Sequence, residues 1–192
     1  ATGLYQRPKI PRGAENLQNE FHILPSGHYR NPEALPKGAV LVVGSAQSGC
    51  QIAEELYQSG RKVYLCVGSA GRAPRRYRGR DIFEWMDRSG FWSRTPAQLP
   101  SPQARFSANP QVSGTQGGHN LNLHQFYRDG VTLLGRLRDI QDHSLILAPD
   151  LHENLHKADQ LELNILRMAD DYIARNNIDA PLEQIPVLTD AF

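Results

Sequence analysis

An apolar strand that runs straight into a glycine turn and a helix constrains this chain more than any other feature. Val40–Val43 is a continuous apolar run, and Gly44 follows it directly. Such a run is typical of a buried strand in a parallel sheet. From Ser48 to Ser59 the apolar residues recur at helical spacing, and Gly60 ends the pattern. We therefore expect this strand to be central in its sheet, with the helix beginning at its carboxyl end.

A second strand completes a recognisable unit. The run "KVYLCV" spans Lys62–Val67, so one helix separates two apolar strands within about thirty residues, which defines a βαβ unit. The sequence therefore predicts an α/β fold, a Rossmann-like parallel sheet with helices on both faces. Further helices are predicted at residues 80–89 and about 149–176, further strands at 131–134 and 144–147, and a long loop or lid at 93–120.

The glycine turn has the spacing of a nucleotide-binding fingerprint. In G-x-G-x-x-G the first glycine makes the turn, the second lets the backbone approach a pyrophosphate, and the third lets the helix pack closely. Gly44 and Gly49 fill the first and third roles, and Ala46 replaces the second glycine. The N–H groups of a helix N-terminus attract phosphate. The candidate cofactor-binding residues here are Gly44, Ser45, Ala46, Gln47, Ser48 and Gly49; the alternative is a purely structural turn.

The end of the second strand bears on which nucleotide would bind. An NAD site has an acidic residue there for the ribose hydroxyls, whereas this strand ends Val67-Gly68-Ser69. A basic loop follows, and guanidinium groups match phosphate oxygens. We therefore expect NADPH to bind at least tenfold more tightly than NADH. The candidates from this region are Ser69, Arg72, Arg75 and Arg76; the alternatives are a solvated basic loop or an RNA-facing patch.

The net charge, the length of the apolar runs and the cysteine pattern exclude several classes of function. Net charge is +1, so no global field attracts nucleic acid or a membrane. No apolar run reaches the length of a membrane span. Cys50 and Cys66 each lie inside a predicted element, a helix and a strand, which favours reduced, buried thiols and a cytoplasmic protein. They form no C-x-x-C pair, so a redox dithiol or a zinc site has no support.

No catalytic residue and no metal site is predicted. His152 and His156 are spaced i, i+4 on a helix and could chelate zinc, but no third ligand is evident, which favours a solvated helix face. No protein nucleophile or catalytic triad is evident either.

Four stretches carry a resemblance to a known family: "ATGLYQRPKIP", "YRNPEALPKGAVLVVGSAQSGCQIAEEL", "VYLCVGSAGRAPRRYRGRDIFEWMDRSGFW" and "GGHNLNLHQFYRDGVTLLGRL". They resemble the NADPH-binding domain of flavin-dependent oxidoreductases similar to flavin-containing monooxygenases, in a bacterial branch. The resemblance implies that NADPH bound by this chain delivers hydride to FAD, with a monooxygenase as one form of such an enzyme. FAD would be held by an FAD domain of the same full-length protein and not by this chain alone.

The resemblance also implies an organisation. Residues 1–38 would be a connector from the FAD domain, residues 39–178 the NAD(P)-binding domain, and residues 179–192 a connector back. An inserted domain would have Ala1–Gly3 and Phe192 on the same side. Two alternatives stay open: a stand-alone NADP(H)-binding or sensing module without catalysis, and an interaction domain whose Rossmann-like shell has lost its ligand, for which Ala46 is the main support.

Overall fold

The structure is a computed structural model that describes residues 7–17, 20–99, 101–106, 109–141, 143–186 and 188. Ala1–Gly3 and Phe192, which were expected to lie on one side, are outside the described residues. The chain divides into two compact units, one of residues 1–68 and 126–151 and the other of residues 69–125 and 152–192.

The elements are as follows. The strands are β1 (Val40–Val43), β2 (Val63–Cys66), β3 (Arg76–Tyr77), β4 (Arg80–Asp81), β5 (Thr132–Leu134), β6 (Leu137–Gln141) and β7 (Ser144–Leu147). The α-helices are α1 (Gln47–Gln58), α2 (Ile82–Arg88), α3 (Leu123–Arg128) and α4 (Leu151–Arg175). No helix among the described residues is long and apolar enough to cross a membrane.

The first unit contains a parallel sheet in the order β1-β2-β5. Val43 is in register with Cys66, and Cys66 with Leu134, so the three strands end side by side. Helix α1 contacts β1 and β2 and buries Cys50, Ala53 and Leu56. This arrangement confirms the predicted α/β, Rossmann-like fold, and α1 begins at the carboxyl end of β1 as expected.

The expectation that β1 is central is wrong. Within the described parts of the chain β1 pairs with β2 alone, and it therefore lies at an edge of the sheet. Val42 is buried, but 47% of Val43 is exposed. An apolar run reports how hydrophobic the two faces of a strand are, whereas centrality depends on main-chain pairing along its two edges. The sequence pattern carried no information on that second property.

An antiparallel hairpin of β6 and β7 follows the sheet in the first unit. The strand at 144–147 was predicted with these bounds, whereas β6 was missed. Arg138 and Asp139 interrupt its apolar pattern, and the pairing register shifts between Leu137 and Asp139. An irregularity of this kind breaks the alternation by which a strand is recognised in sequence.

The second unit is organised around α2 and α4. Trp85 and Met86 of α2 pack in one cluster with Ile165, Ala169 and Ile173 of α4. The Trp85 Nε1–H donates to the carbonyl of Tyr77 at 2.7 Å, which satisfies the polar atom of a fully buried indole. Both helices were predicted, and α4 ends one residue before its predicted limit. The described parts of the predicted loop, residues 93–99, 101–106 and 109–120, contain 3-10 turns at Pro96–Gln98, Pro102–Phe106 and Thr115–Gly117 and no α-helix.

Candidate functional site

The turn after β1 begins with a residue whose backbone conformation favours glycine. Gly44 has a φ of +100°, which residues with a side chain rarely adopt. Its N–H donates to the carbonyl of Cys66 at 3.1 Å, so the β1–β2 ladder continues to the start of the turn. The chain then leaves the sheet and enters α1 within three residues.

The first turn of α1 packs directly against this glycine. A Cβ on Gly49 would lie 1.8 Å from the carbonyl oxygen of Gly44, far inside van der Waals contact. No side chain fits at this position. Gly49 therefore has the role of the third fingerprint glycine, which is the close approach of helix and strand.

The beginning of α1 has no side-chain cap. Its N-cap residue is Ala46, which is exposed, has an extended backbone and carries no side-chain oxygen. The helix begins with Gln47, which is half-buried, and Ser48, which is exposed. The N–H groups of a first turn have no partner within the helix. The turn thus has the two properties that a dinucleotide pyrophosphate needs, a close backbone and an exposed helix N-terminus.

Ser45 connects the turn to the end of β2. It is 1% exposed, and its Oγ accepts a hydrogen bond from the Gly68 N–H at 3.0 Å. Its carbonyl oxygen lies 3.2 Å from the Cys50 Sγ. These bonds hold the ends of β1 and β2 together at the carboxyl ends of the strands, where Rossmann-like folds bind their ligands.

In the second unit, Arg72 is buried among carboxylates. Its Nη1 lies 2.5 Å from Asp159 Oδ1, and its Nη2 lies 2.8 Å from Glu162 Oε2. Its Nε also donates to Glu162. The His124 Nε2 lies 3.4 Å from the same oxygen of Asp159. Two carboxylates therefore compensate the charge of Arg72, whose side chain is only 4% exposed.

The other predicted residues of the basic loop differ in how their charge is compensated. The Arg75 Nη2 lies 2.6 Å from Asp81 Oδ2, and its guanidinium lies 5.7 Å from the ring centre of Phe83. Arg76 is exposed, and its Nη2 donates to the carbonyl of Gly117 at 2.9 Å. A carbonyl does not neutralise a guanidinium, so Arg76 keeps its positive charge exposed. Ser69 is also exposed.

A further arginine, which the sequence analysis did not select, follows β5 in the first unit. Asp150 accepts two hydrogen bonds from Arg136, one from its backbone N–H at 3.0 Å and one from its Nε at 2.6 Å. The Asp150 side chain is 11% exposed and that of Arg136 is 46% exposed. The signal in the sequence was a basic residue two positions after a strand of the predicted sheet, in "LLGRL".

About half of the chain aligns with the sequences of known proteins. It is 43% identical over 91 residues to an uncharacterised CzcO-like oxidoreductase of Geobacillus kaustophilus, and 37% identical over 90 residues to an uncharacterised oxidoreductase CzcO of Bacillus subtilis. Each alignment covers 47% of this chain and 26% of the relative. It is also 37% identical over 71 residues to the flavin-containing monooxygenase iboF of Amanita muscaria, over 35% of this chain and 13% of that protein.

About half of the chain is thus similar in sequence to CzcO-like oxidoreductases, and a shorter part of it to a flavin-containing monooxygenase. The chain spans about a quarter of the length of the first two relatives. No family model and no solved structure matches the chain.

The candidate residues fall into two groups. The first unit brings together the fingerprint residues Gly44, Ser45, Ala46, Gln47, Ser48 and Gly49. The second unit contains Ser69, Arg72, Arg75 and Arg76. His152 and His156 are exposed on α4, and no group of three or more metal-binding side chains occurs in the described ranges.

The two thiols of the chain lie beside the turn and in β2, and both are buried. Burial, together with the negative charge of Glu54, raises the pKa of Cys50 to about 12. Burial also raises the pKa of Cys66 to about 11. Since the thiolate is the reactive form, we expect these cysteines to be unreactive near neutral pH.

Proposed function

We propose that this chain is the NADPH-binding domain of a flavin-dependent oxidoreductase, and that it presents NADPH to FAD bound elsewhere in the same, longer protein. The observation that carries the proposal is the turn in which Gly49 lies against the carbonyl of Gly44. That close packing, after a parallel strand and before a helix, is the geometry of a dinucleotide-binding βαβ unit. The relationship to oxidoreductases longer than this chain supports the same conclusion.

In this proposal the turn binds the pyrophosphate. Gly44, Ala46 and Gly49 set the backbone path, and the first-turn N–H groups from Gln47 and Ser48 donate to phosphate oxygens. Ser45 has a supporting role, since its buried hydroxyl accepts from Gly68 and fixes the two strand ends. The methyl group of Ala46 is on an exposed residue, which is compatible with a ligand on the outside of the turn.

The basic loop supplies the preference for NADPH over NADH. Arg76 is the strongest candidate among its arginines, because its recorded contact is a backbone carbonyl and its side chain is exposed. The ion pair of Arg75 with Asp81 engages its terminal Nη2, and carboxylates lie against both terminal nitrogens of Arg72, so neither arginine presents its whole Nη pair to a phosphate. Ser69 adds an exposed hydroxyl at the start of the loop.

When bound, NADPH supplies a hydride and the flavin accepts it. This domain contributes binding and orientation of the nicotinamide nucleotide. The FAD domain of the same protein is its partner in the proposal. The buried free thiols Cys50 and Cys66 support a reducing, cytoplasmic location.

The test is a calorimetric titration of the intact protein with NADPH and with NADH. We expect NADPH to bind at least tenfold more tightly, which corresponds to about 1.4 kcal/mol. Arg76→Gln, which removes the charge, lowers the affinity for NADPH and leaves that for NADH unchanged. The matched control is Arg88→Gln, an exposed arginine that pairs with Glu84 on α2.

A second measurement addresses the flavin. Adding NADPH without oxygen to the full-length, flavin-loaded protein should bleach the absorbance of the oxidised flavin. Binding of NADPH without bleaching would show that the domain binds the nucleotide without delivering hydride to the flavin, and would contradict the proposed function. Failure to bind either nucleotide would reject the nucleotide-binding function altogether.

A further inference from the structure

We propose that Arg136 recognises the 2′-phosphate of NADPH from the end of the third strand, in addition to any contribution of the basic loop. The inference rests on the proposed function, since it names a specificity residue for the same nucleotide. The strand ends, the glycine turn and Arg136 all lie within the first unit.

The register of the sheet places Arg136 beside the end of β2. Cys66 is paired with Leu134, and the Val67 N–H donates to the Leu134 carbonyl at 2.8 Å. Gly68 and Arg136 are each two residues beyond that register pair. Neighbouring strands are about 4.8 Å apart. Arg136 therefore follows the strand next to the one whose end, in Rossmann-like folds, determines whether a 2′-hydroxyl or a 2′-phosphate is accepted.

The guanidinium of Arg136 is held in position. Asp150 accepts from both its backbone N–H and its Nε, so one carboxylate fixes the start and the far end of the side chain. Gly135 makes this approach possible, because a Cβ there would lie 1.9 Å from the carbonyl oxygen of Ala148 and 3.1 Å from Asp150 Oδ1. The Ala148 N–H also donates to the Arg136 carbonyl at 2.8 Å.

The terminal nitrogens of Arg136 are left for a ligand. Among the described residues no partner is recorded for its Nη1 and Nη2, and 46% of the side chain is exposed. A guanidinium oriented through its Nε presents the Nη pair as a fork that fits two phosphate oxygens. Gly68, which stands where an NAD site has its acidic residue, offers no negative charge to oppose a phosphate. This combination points to a phosphate ligand.

The alternative is a structural role, in which Arg136 serves only to neutralise the charge of the nearly buried Asp150. The two roles predict different nucleotide dependence. A structural role affects NADH and NADPH alike, whereas recognition of the 2′-phosphate affects NADPH alone, because the two molecules differ only in that group.

The experiment measures the dissociation constants of NADPH, NADH and the fragment 2′,5′-ADP by calorimetry on the intact protein. Arg136→Gln retains a side-chain donor for Asp150 and removes the positive charge. We expect its affinity for NADPH and for 2′,5′-ADP to fall about tenfold and its affinity for NADH to change less than about twofold. Arg136→Lys keeps the charge without the fork and should give an intermediate loss.

Arg138→Gln is the matched control, since Arg138 is exposed and lies two residues further on. An equal loss of NADPH affinity in Arg138→Gln would show a general charge effect and overturn the inference. Unchanged NADPH binding by Arg136→Gln would overturn it and leave the proposed function standing. Parallel loss of NADH binding would assign Arg136 the structural role, and absence of binding by the unaltered protein would reject both proposals.

Discussion

Gly49 and Gly44 lie so close that a Cβ on Gly49 would be 1.8 Å from the Gly44 carbonyl oxygen. This relationship fixes the path of the chain from β1 into α1. It excludes every side chain at Gly49, and the positive φ of Gly44 excludes most at Gly44. The packing of the turn therefore depends on two glycines five residues apart, independently of any bound nucleotide.

Gly49→Ala should destabilise the first unit by about 2–3 kcal/mol, because the turn or the helix must shift to relieve the overlap. Urea unfolding measures the change in the free energy of unfolding. Gly27→Ala is the control, because a Cβ there meets no atom within 4 Å, and we expect its effect to stay within about 0.5 kcal/mol. Equal, small effects of both substitutions would contradict the close packing.

The local elements of the fold could be predicted from sequence, and the reason is physical. Helix α1, β2 and β7 are defined by neighbouring residues, whose hydrophobic period reports the structure directly. The edge position of β1 could not be predicted, because strand pairing is a contact between distant segments. The partners of Arg72 are also distant, since Glu162 lies ninety residues further along the chain.

The candidate site also combines residues that could be recognised from neighbouring sequence with residues that only distant contacts distinguish. The glycines of the turn were recognisable, since their role depends on residues within one turn of chain. Arg72, Arg75 and Arg76 are equivalent in sequence, and only their contacts with Asp159, Asp81 and Gly117 distinguish them. Arg136 was missed because its orientation comes from Asp150, which lies beyond an intervening hairpin.

Arg72→Leu should destabilise the second unit by about 3–5 kcal/mol, since it leaves Asp159 and Glu162 without their buried counter-charge. Chemical denaturation with fluorescence of the buried Trp85 detects the loss. The control is Arg76→Leu at the exposed position, which should change stability by less than about 0.5 kcal/mol. Combining Arg72→Leu with Asp159→Asn and Glu162→Gln should restore part of the stability. A loss under about 1 kcal/mol in Arg72→Leu would refute the buried role.

Neither cysteine should react with a thiol reagent in the native protein at pH 8. Burial raises the pKa of both thiols to about 11 or above, so the thiolate is scarce, and the reagent cannot reach the sulfur atoms. Titration with a chromogenic disulfide should give no signal until guanidinium chloride is added, and both thiols should then react. Rapid reaction of one thiol in the native protein would show that it is accessible, and Cys50→Ala would identify which one.

Tyr77 should make the stability of the second unit fall at alkaline pH. Its hydroxyl donates to Asp170, at 3.0 Å from Oδ2, and burial followed by this carboxylate raises the pKa of Tyr77 from 10 to about 12. Because the pKa is higher in the folded state, the stabilisation is complete below pH 10 and is lost as pH rises from 10 to 12.

Tyr77→Phe should cost about 1 kcal/mol near neutral pH, and the difference in stability between it and the unaltered protein should shrink across that interval. Tyr127→Phe makes the same chemical change at an exposed tyrosine and is the control for the loss of a hydroxyl group. Urea unfolding of all three proteins between pH 8 and pH 12 measures the difference, and one that stays constant across this range would refute the coupling of Tyr77 to Asp170.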